Sequence, residues 1–184
     1  MAVGSALLGL PERPPRAIDW QSVEEALGTR LPADYKDLIA RYPELVVGGF
    51  IRVLGPHGRF PSMDIVAESQ SNQSWLEYIT EEAEHHDEAI PYVAYPAPGG
   101  ILRWGVTTNG DYCHWRTGPG DPDEWTIVVS EGKGDEWTEF AGGLGAFIEA
   151  LFLARSTVPC FRGDWPHSGS TTTFRDRGDR AVSA

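Results

Sequence analysis

Five histidines and two cysteines are the side chains of this 184-residue chain best suited to metal binding, proton transfer or nucleophilic attack. His85 and His86 are adjacent and flanked by Glu84, Asp87 and Glu88. Adjacent residues point about 100° apart on a helix, and the H-E-x-x-H spacing that aligns two imidazoles is absent. A charged, solvated helix end is expected there, with no metal. His114 falls on the outer face of a predicted strand, beside Gly105, and is expected to face solvent. Acid–base work at His114 needs a positioned partner, and none is evident. Cys113 falls on the inner face, where a cysteine behaves as a small, inert hydrophobe. The chain has no G-x-S-x-G elbow, no P-loop and no paired C-x-x-C. Gly142-Gly143-Leu144-Gly145 precedes a predicted helix, whose N-terminus suits an anion. No lysine or arginine lies near it in sequence, so an ordinary helix start is expected. These residues predict a protein that is not an enzyme, with no catalytic set, no metal and no cofactor.

Binding is the better-supplied chemistry. The chain has seven tryptophans and six tyrosines. Trp20, Trp104, Trp115 and Trp125 fall on predicted core faces. Trp75, Tyr78, Tyr112 and Trp137 are less committed to a core and suit aromatic anchoring of a partner. Acidic side chains near them would steer a basic partner, which speeds encounter more than it tightens the complex. The candidate partner-binding residues are Trp75, Tyr78, Glu81, Glu82, Glu84, Asp87, Glu88, Tyr112, Asp121 and Asp123.

Charge sharpens that reading. The chain carries a formal charge of −12. Residues 1–60 hold 7 acids and 7 bases, and residues 151–184 hold 3 acids and 5 bases. Residues 61–100 hold 8 acids and no base, and residues 101–150 hold 9 acids and 3 bases, net −14 for this middle portion. Such a balance argues against nucleic acid as a partner and against docking on an anionic membrane. No run of residues approaches the roughly 18 apolar residues of a membrane span, so no membrane insertion is expected. Two cysteines make no disulfide framework, and no signal-peptide pattern is present, which predicts a reducing cytoplasm. Nothing in the sequence specifies an oligomeric state.

The elements that must position these residues follow from periodicity and caps. Residues 1–16 read as a flexible arm, 17–160 as one domain and 161–184 as a mostly disordered tail. Asp19 suits an N-cap, Trp20, Val23 and Leu27 share a helical face, and Gly28 suits the stop. A second helix opens with Pro32 at its first position and buries Tyr35, Leu38, Ile39 and Tyr42. A strand is expected at 50–54. A helix over 62–88 follows, weakened at 69–74 and frayed at its acidic end. Strands are predicted at 90–95, 101–107, 111–117, 125–129 and 136–140, and a last helix at 144–152.

Asn109-Gly110 predicts a two-residue hairpin loop. That register sets Trp104 opposite Trp115 and Val106 opposite Cys113 on an apolar face. It also sets Arg103 opposite Arg116 and Gly105 opposite His114 on the other face. Two facing arginines need a carboxylate between them, from Glu124 or the 135–139 segment. The whole reads as an α+β domain, helices flanking a largely antiparallel sheet.

At this point the motifs resemble a family. Trp20-x-x-Val23-Glu24, Leu27-Gly28 and Leu31-Pro32-Ala33-Asp34-Tyr35 are followed by Gly48-Gly49 leading into a strand. Trp104-Gly105-x-Thr107-x-Asn109-Gly110-Asp111, then Trp115, Trp125, Ile127-Val128-Val129 and Phe147-Ile148 complete the series. This order resembles the SUKH superfamily, the Smi/Knr-like domains, over most of the chain. The resemblance implies an α+β fold with a curved sheet and a binding protein in place of an enzyme. It implies that Trp20, Leu31, Pro32, Tyr35, Trp104, Gly105, Asn109, Gly110, Asp111, Trp115, Trp125 and Phe147 are fold determinants. Many bacterial members are immunity proteins that neutralise a cognate toxin, often a nuclease, of a polymorphic-toxin system. Fungal relatives are regulatory scaffolds. The expectation is therefore a bacterial immunity protein binding a basic toxin domain, with a regulatory scaffold as the alternative. Specificity would lie in the 118–123 loop, the 81–88 stretch and the tail.

Overall fold

A computed structural model describes residues 6–161, 163, 165–167, 170–175 and 182–183. The element order is α1 (Trp20–Leu27), α2 (Ala33–Arg41), β1 (Val46–Val47), β2 (Ile51–Val53), α3 (Ile65–Glu84), β3 (Ile101–Thr107), β4 (Tyr112–Arg116), β5 (Thr126–Ser130), β6 (Trp137–Phe140), α4 (Leu144–Phe152), β7 (Thr173–Phe174) and β8 (Val182–Ser183). The strands form one sheet in the order β6-β5-β4-β3-β2-β1-β7-β8, and every strand pairing is antiparallel. This is the expected α+β architecture.

Local signals account for the first two helices. The Asp19 carboxylate accepts from Ser22 N–H at 3.2 Å and starts α1. Gly28, at φ 74°, ends it by donating to Glu24 O at 2.8 Å. Pro32 is the cap of α2 and not its first helical residue as expected, the helix starting one residue later at Ala33. Tyr35, Leu38 and Ile39 turn inward as their spacing predicts.

The two sheet faces hold separate clusters. Leu102, Trp104, Cys113, Trp115, Ile127 and Val129 pack with α1, α2 and α4. Ile101 and Val128, which point the other way, pack under Leu76 and Ile79 of α3. Burying one such aliphatic side chain contributes roughly 1.5–3 kcal/mol. Leu8 and Leu10, within the expected arm, are buried in the first cluster. Of the expected disordered tail, residues 162, 164, 168–169, 176–181 and 184 lie outside the described residues. Thr173–Phe174 pairs with β1, and Phe174 is buried against Tyr42 with ring centroids 5.5 Å apart.

Four expectations need correction. Residues 90–95 form no strand, only a bridge from Ala94 to Ile101. Pro91 removes an amide donor from that segment, and Pro96 bounds it. Second, α3 runs unbroken through 69–74. Asn72 is buried there and sends its side chain to the sheet instead of its own backbone.

Third, the hairpin loop has three residues, 108–110, not two. Thr107 closes it, donating its N–H to Asp111 O at 2.9 Å and accepting from Asp111 N–H at Oγ1 at 3.0 Å. Gly110 takes φ 94°. Val106 therefore pairs with Tyr112 and Gly105 with Cys113. A bulge at Trp104 shifts the register once more, so that Leu102 pairs with Trp115 and Arg103 with His114. The two one-residue shifts together restore the expected faces below the bulge. Fourth, Arg103 and Arg116 do not face each other. Arg116 pairs with Glu139, inside the expected 135–139 segment, at 3.3 Å. Arg103 pairs with Glu68 of α3 at 2.9 Å.

Candidate partner-binding surface

Asn72, Leu76, Ile79 and Ala83 mark the inward stripe of α3, at helical spacing. The polar end of this stripe is tied to the sheet. Asn72 Nδ2 donates to Ile101 O at 2.9 Å, so Oδ1 faces His114 Nε2, also at 2.9 Å. With Oδ1 as the acceptor, His114 Nε2 is the donor of this bond. His114 is fully buried, which corrects the expectation of a solvent-facing residue. The sheet face that carries it is covered by α3. Burial, and secondarily Arg103, holds its pKa well below the usual histidine value.

Arg103 is 3% exposed and lies over the Tyr112 ring at 3.6 Å and the Trp75 ring at 5.3 Å. Burial lowers its pKa, and Glu68 opposes that shift. Trp75 also stacks on His114 at 5.7 Å and donates from Nε1 to Gly132 O at 3.2 Å. The arrangement is an aromatic–cation layer that fixes α3 on the sheet, with Arg103 Nε, Arg103 Nη2 and His114 Nδ1 buried without a hydrogen-bond partner among the described residues. Trp75 and Tyr112 are half-buried members of it.

The outward stripe of α3 is different. Glu77, Tyr78, Glu81, Glu82 and Glu84 are exposed, and Asp87 and Glu88 continue the exposed run beyond the helix. Tyr78 is 60% exposed, one of the few large apolar side chains so placed. Beside this stripe lies a groove of about 450 Å³. Its walls are Gln73, Leu76, Glu77, Thr80 and Glu81 on one side and residues 92–97 on the other. Glu77 and the 92–97 wall were absent from the sequence-based candidates. Glu77 was legible, four residues from both Gln73 and Glu81 on one helix face. The wall was not, because 90–95 read as a strand.

Asp121 and Asp123 sit apart from this stripe. Asp121 accepts from Asp123 N–H at 3.1 Å and caps a short turn. Asp123 accepts from Ala33 N–H at 2.6 Å, satisfying an orphan amide of α2 that Pro32 cannot reach. The sequence-based candidates therefore divide into three groups: a buried layer, an exposed strip and a pair of caps.

The remaining chemistry-bearing residues are also committed. The Gly142–Gly145 helix start does hold an anion, the Asp34 carboxylate, which accepts from Gly145 N–H at 2.8 Å. Burial raises the Cys113 thiol well above its usual pKa and pushes Cys160 up to about 12, so neither is a thiolate near neutrality. Among the described residues no group of three or more His, Cys, Asp or Glu is arranged to hold a metal ion. Among them, too, no helix is long and apolar enough to cross a membrane.

Compared with known proteins, residues 14–150 match the family model described as the SMI1 / KNR4 family (SUKH-1). No curated protein matches the chain. No solved structure matches it either.

Proposed function

We propose that this chain, which belongs to the SMI1 / KNR4 family (SUKH-1), is a non-enzymatic immunity protein that neutralises a basic toxin domain by direct binding. The observation that carries this reading is the exposed strip of α3. Tyr78 stands among Glu77, Glu81, Glu82 and Glu84 beside a groove, on a helix whose other face is anchored. A rigid aromatic flanked by carboxylates suits a desolvated anchor surrounded by steering charge. Trp75 and Tyr112 lie beneath the strip and hold it in place, and Asp87 and Glu88 extend its charge. Asp121 and Asp123 are, on this reading, fold residues first. A cytoplasmic bacterial protein fits this role, because the toxin must be intercepted where it acts.

The test is co-expression of the chain with candidate toxin domains from its genomic neighbourhood. Rescue from toxicity, together with salt-sensitive complex formation, supports the proposal. A pull-down yielding only non-toxin partners would instead favour a regulatory scaffold.

A further inference from the structure

We infer that the cavity bounded by Arg16, His57 and Arg175 is a binding site for a small amphipathic anion, with an apolar body and one carboxylate or phosphate. This inference does not rest on the partner-binding reading. The cavity encloses about 390 Å³, within the usual range of roughly 300–1,000 Å³ for small-molecule sites. It opens beside Met63, just before α3. At about 1.5 Å per residue, the helix carries the acidic strip away from it.

The lining has the composition such a ligand needs. Ile18, Ile39, Val53 and Met63 supply an apolar wall. The charged members are Arg16, Arg175, Asp19 and Glu44. Apart from Met63 and Arg175 they come from residues 16–58, outside the acidic middle of the chain. Asp19 is already committed to the Ser22 amide. Among the described residues Arg175 forms a loose ion pair with Glu44, Oε2 lying 4.0 Å from Nε, too long for a hydrogen bond. No described residue hydrogen-bonds the Arg175 guanidinium, whose planar fork is matched to carboxylate and phosphate oxygens.

The backbone supports a preformed site. Among the described residues four non-glycines take positive φ, and two of them, Glu44 at 49° and His57 at 56°, line this cavity. Strained backbone of this kind gathers at ligand sites. The wall that holds His57 is locked. Gly55 N–H donates to Met63 O at 3.2 Å, and Ile65 N–H donates to Gly55 O at 3.0 Å. A Cβ on Gly58 would lie 2.5 Å from the Met63 carbonyl.

The experiment titrates the full-length ¹⁵N-labelled chain with 4-phenylbutyrate, 4-phenylbutyl phosphate and neutral 4-phenylbutyramide. The site predicts saturable amide shifts confined to residues 16–19, 39, 44, 53–55, 57–58, 63 and 175 and their chain neighbours. At least one anion should bind at least about tenfold more tightly than the amide. The order of the two anions identifies the preferred headgroup. Arg175→Gln should weaken anion binding at least about fivefold while leaving amide binding and the unfolding midpoint unchanged. Absence of saturable shifts from both anions up to about 10 mM would overturn the inference. So would shifts centred elsewhere, equal affinity for anions and amide, or unaltered anion affinity in Arg175→Gln.

Discussion

The Asp34 carboxylate accepts a 2.8 Å hydrogen bond from Gly145 N–H, 111 residues away, and so caps α4 from α2. Gly143, the N-cap, has no side chain to do this. A Cβ at that position would also sit 2.9 Å from Asp34 Oδ2. Asp34→Ala should therefore cost about 1–2 kcal/mol of stability, the size of a lost cap, with Asp34→Asn costing less. Urea unfolding measures this, and a loss under about 0.3 kcal/mol would refute the capping role.

Asp123 makes the parallel contact to Ala33 N–H at 2.6 Å. Asp123→Ala should lower stability by about 1 kcal/mol and leave affinity for the proposed toxin partner unchanged at low salt. Thermal and chemical unfolding report the first, and titration with the partner the second. A stability-neutral variant with weakened binding would move Asp123 to the partner surface.

The Trp104 and Trp115 rings are fully buried with centroids 6.1 Å apart, and Trp104 also meets Phe147 at 6.3 Å. Trp104→Ala should destabilise by roughly 3–5 kcal/mol. Chemical denaturation showing less than about 1 kcal/mol would contradict the packing of the bulged β3.

Buried His114 makes stability depend on pH. Its folded pKa is depressed below 6.5, so the unfolded chain binds the extra proton more readily. The neutral imidazole's contribution is complete above about 6.5 and is lost as pH falls from there through the folded pKa. Within that window the slope from this group approaches about 1.4 kcal/mol per pH unit. His114→Gln should flatten the pH–stability curve below 6.5 by up to one proton. Equal slopes in the two proteins would show that His114 does not carry the linkage.

Much of the fold was legible because its signals are local. Asp19, Gly28 and the spacing of Val23 and Leu27 define α1 without reference to the rest of the chain. Asn109-Gly110 announced a hairpin, but its register turned on the Thr107 hydroxyl closing the loop and on the bulge at Trp104. The Leu31-Pro32-Ala33-Asp34-Tyr35 motif was recognisable, while its reason is remote. Asp34 caps α4, and the Tyr35 hydroxyl donates to Leu54 O at 2.8 Å. The outer face of β4 read as solvent-exposed, since no local feature states which sheet face a 20-residue helix covers. For the same reason Glu68 was not foreseen as the partner of Arg103. The exposed α3 strip was legible from acid density around Tyr78, and the groove wall at 92–97 was not.

The most direct test of the proposed function is calorimetric titration of the chain with a purified candidate toxin domain from its genomic neighbourhood. The measurement is made at about 50 and 500 mM NaCl, where screening of surface charge differs severalfold. The account predicts saturable binding that weakens at high salt, weakens further with Glu81→Lys and is largely lost with Tyr78→Ala, both variants remaining folded. Absence of binding, or an affinity unchanged by salt and by both substitutions, would contradict it.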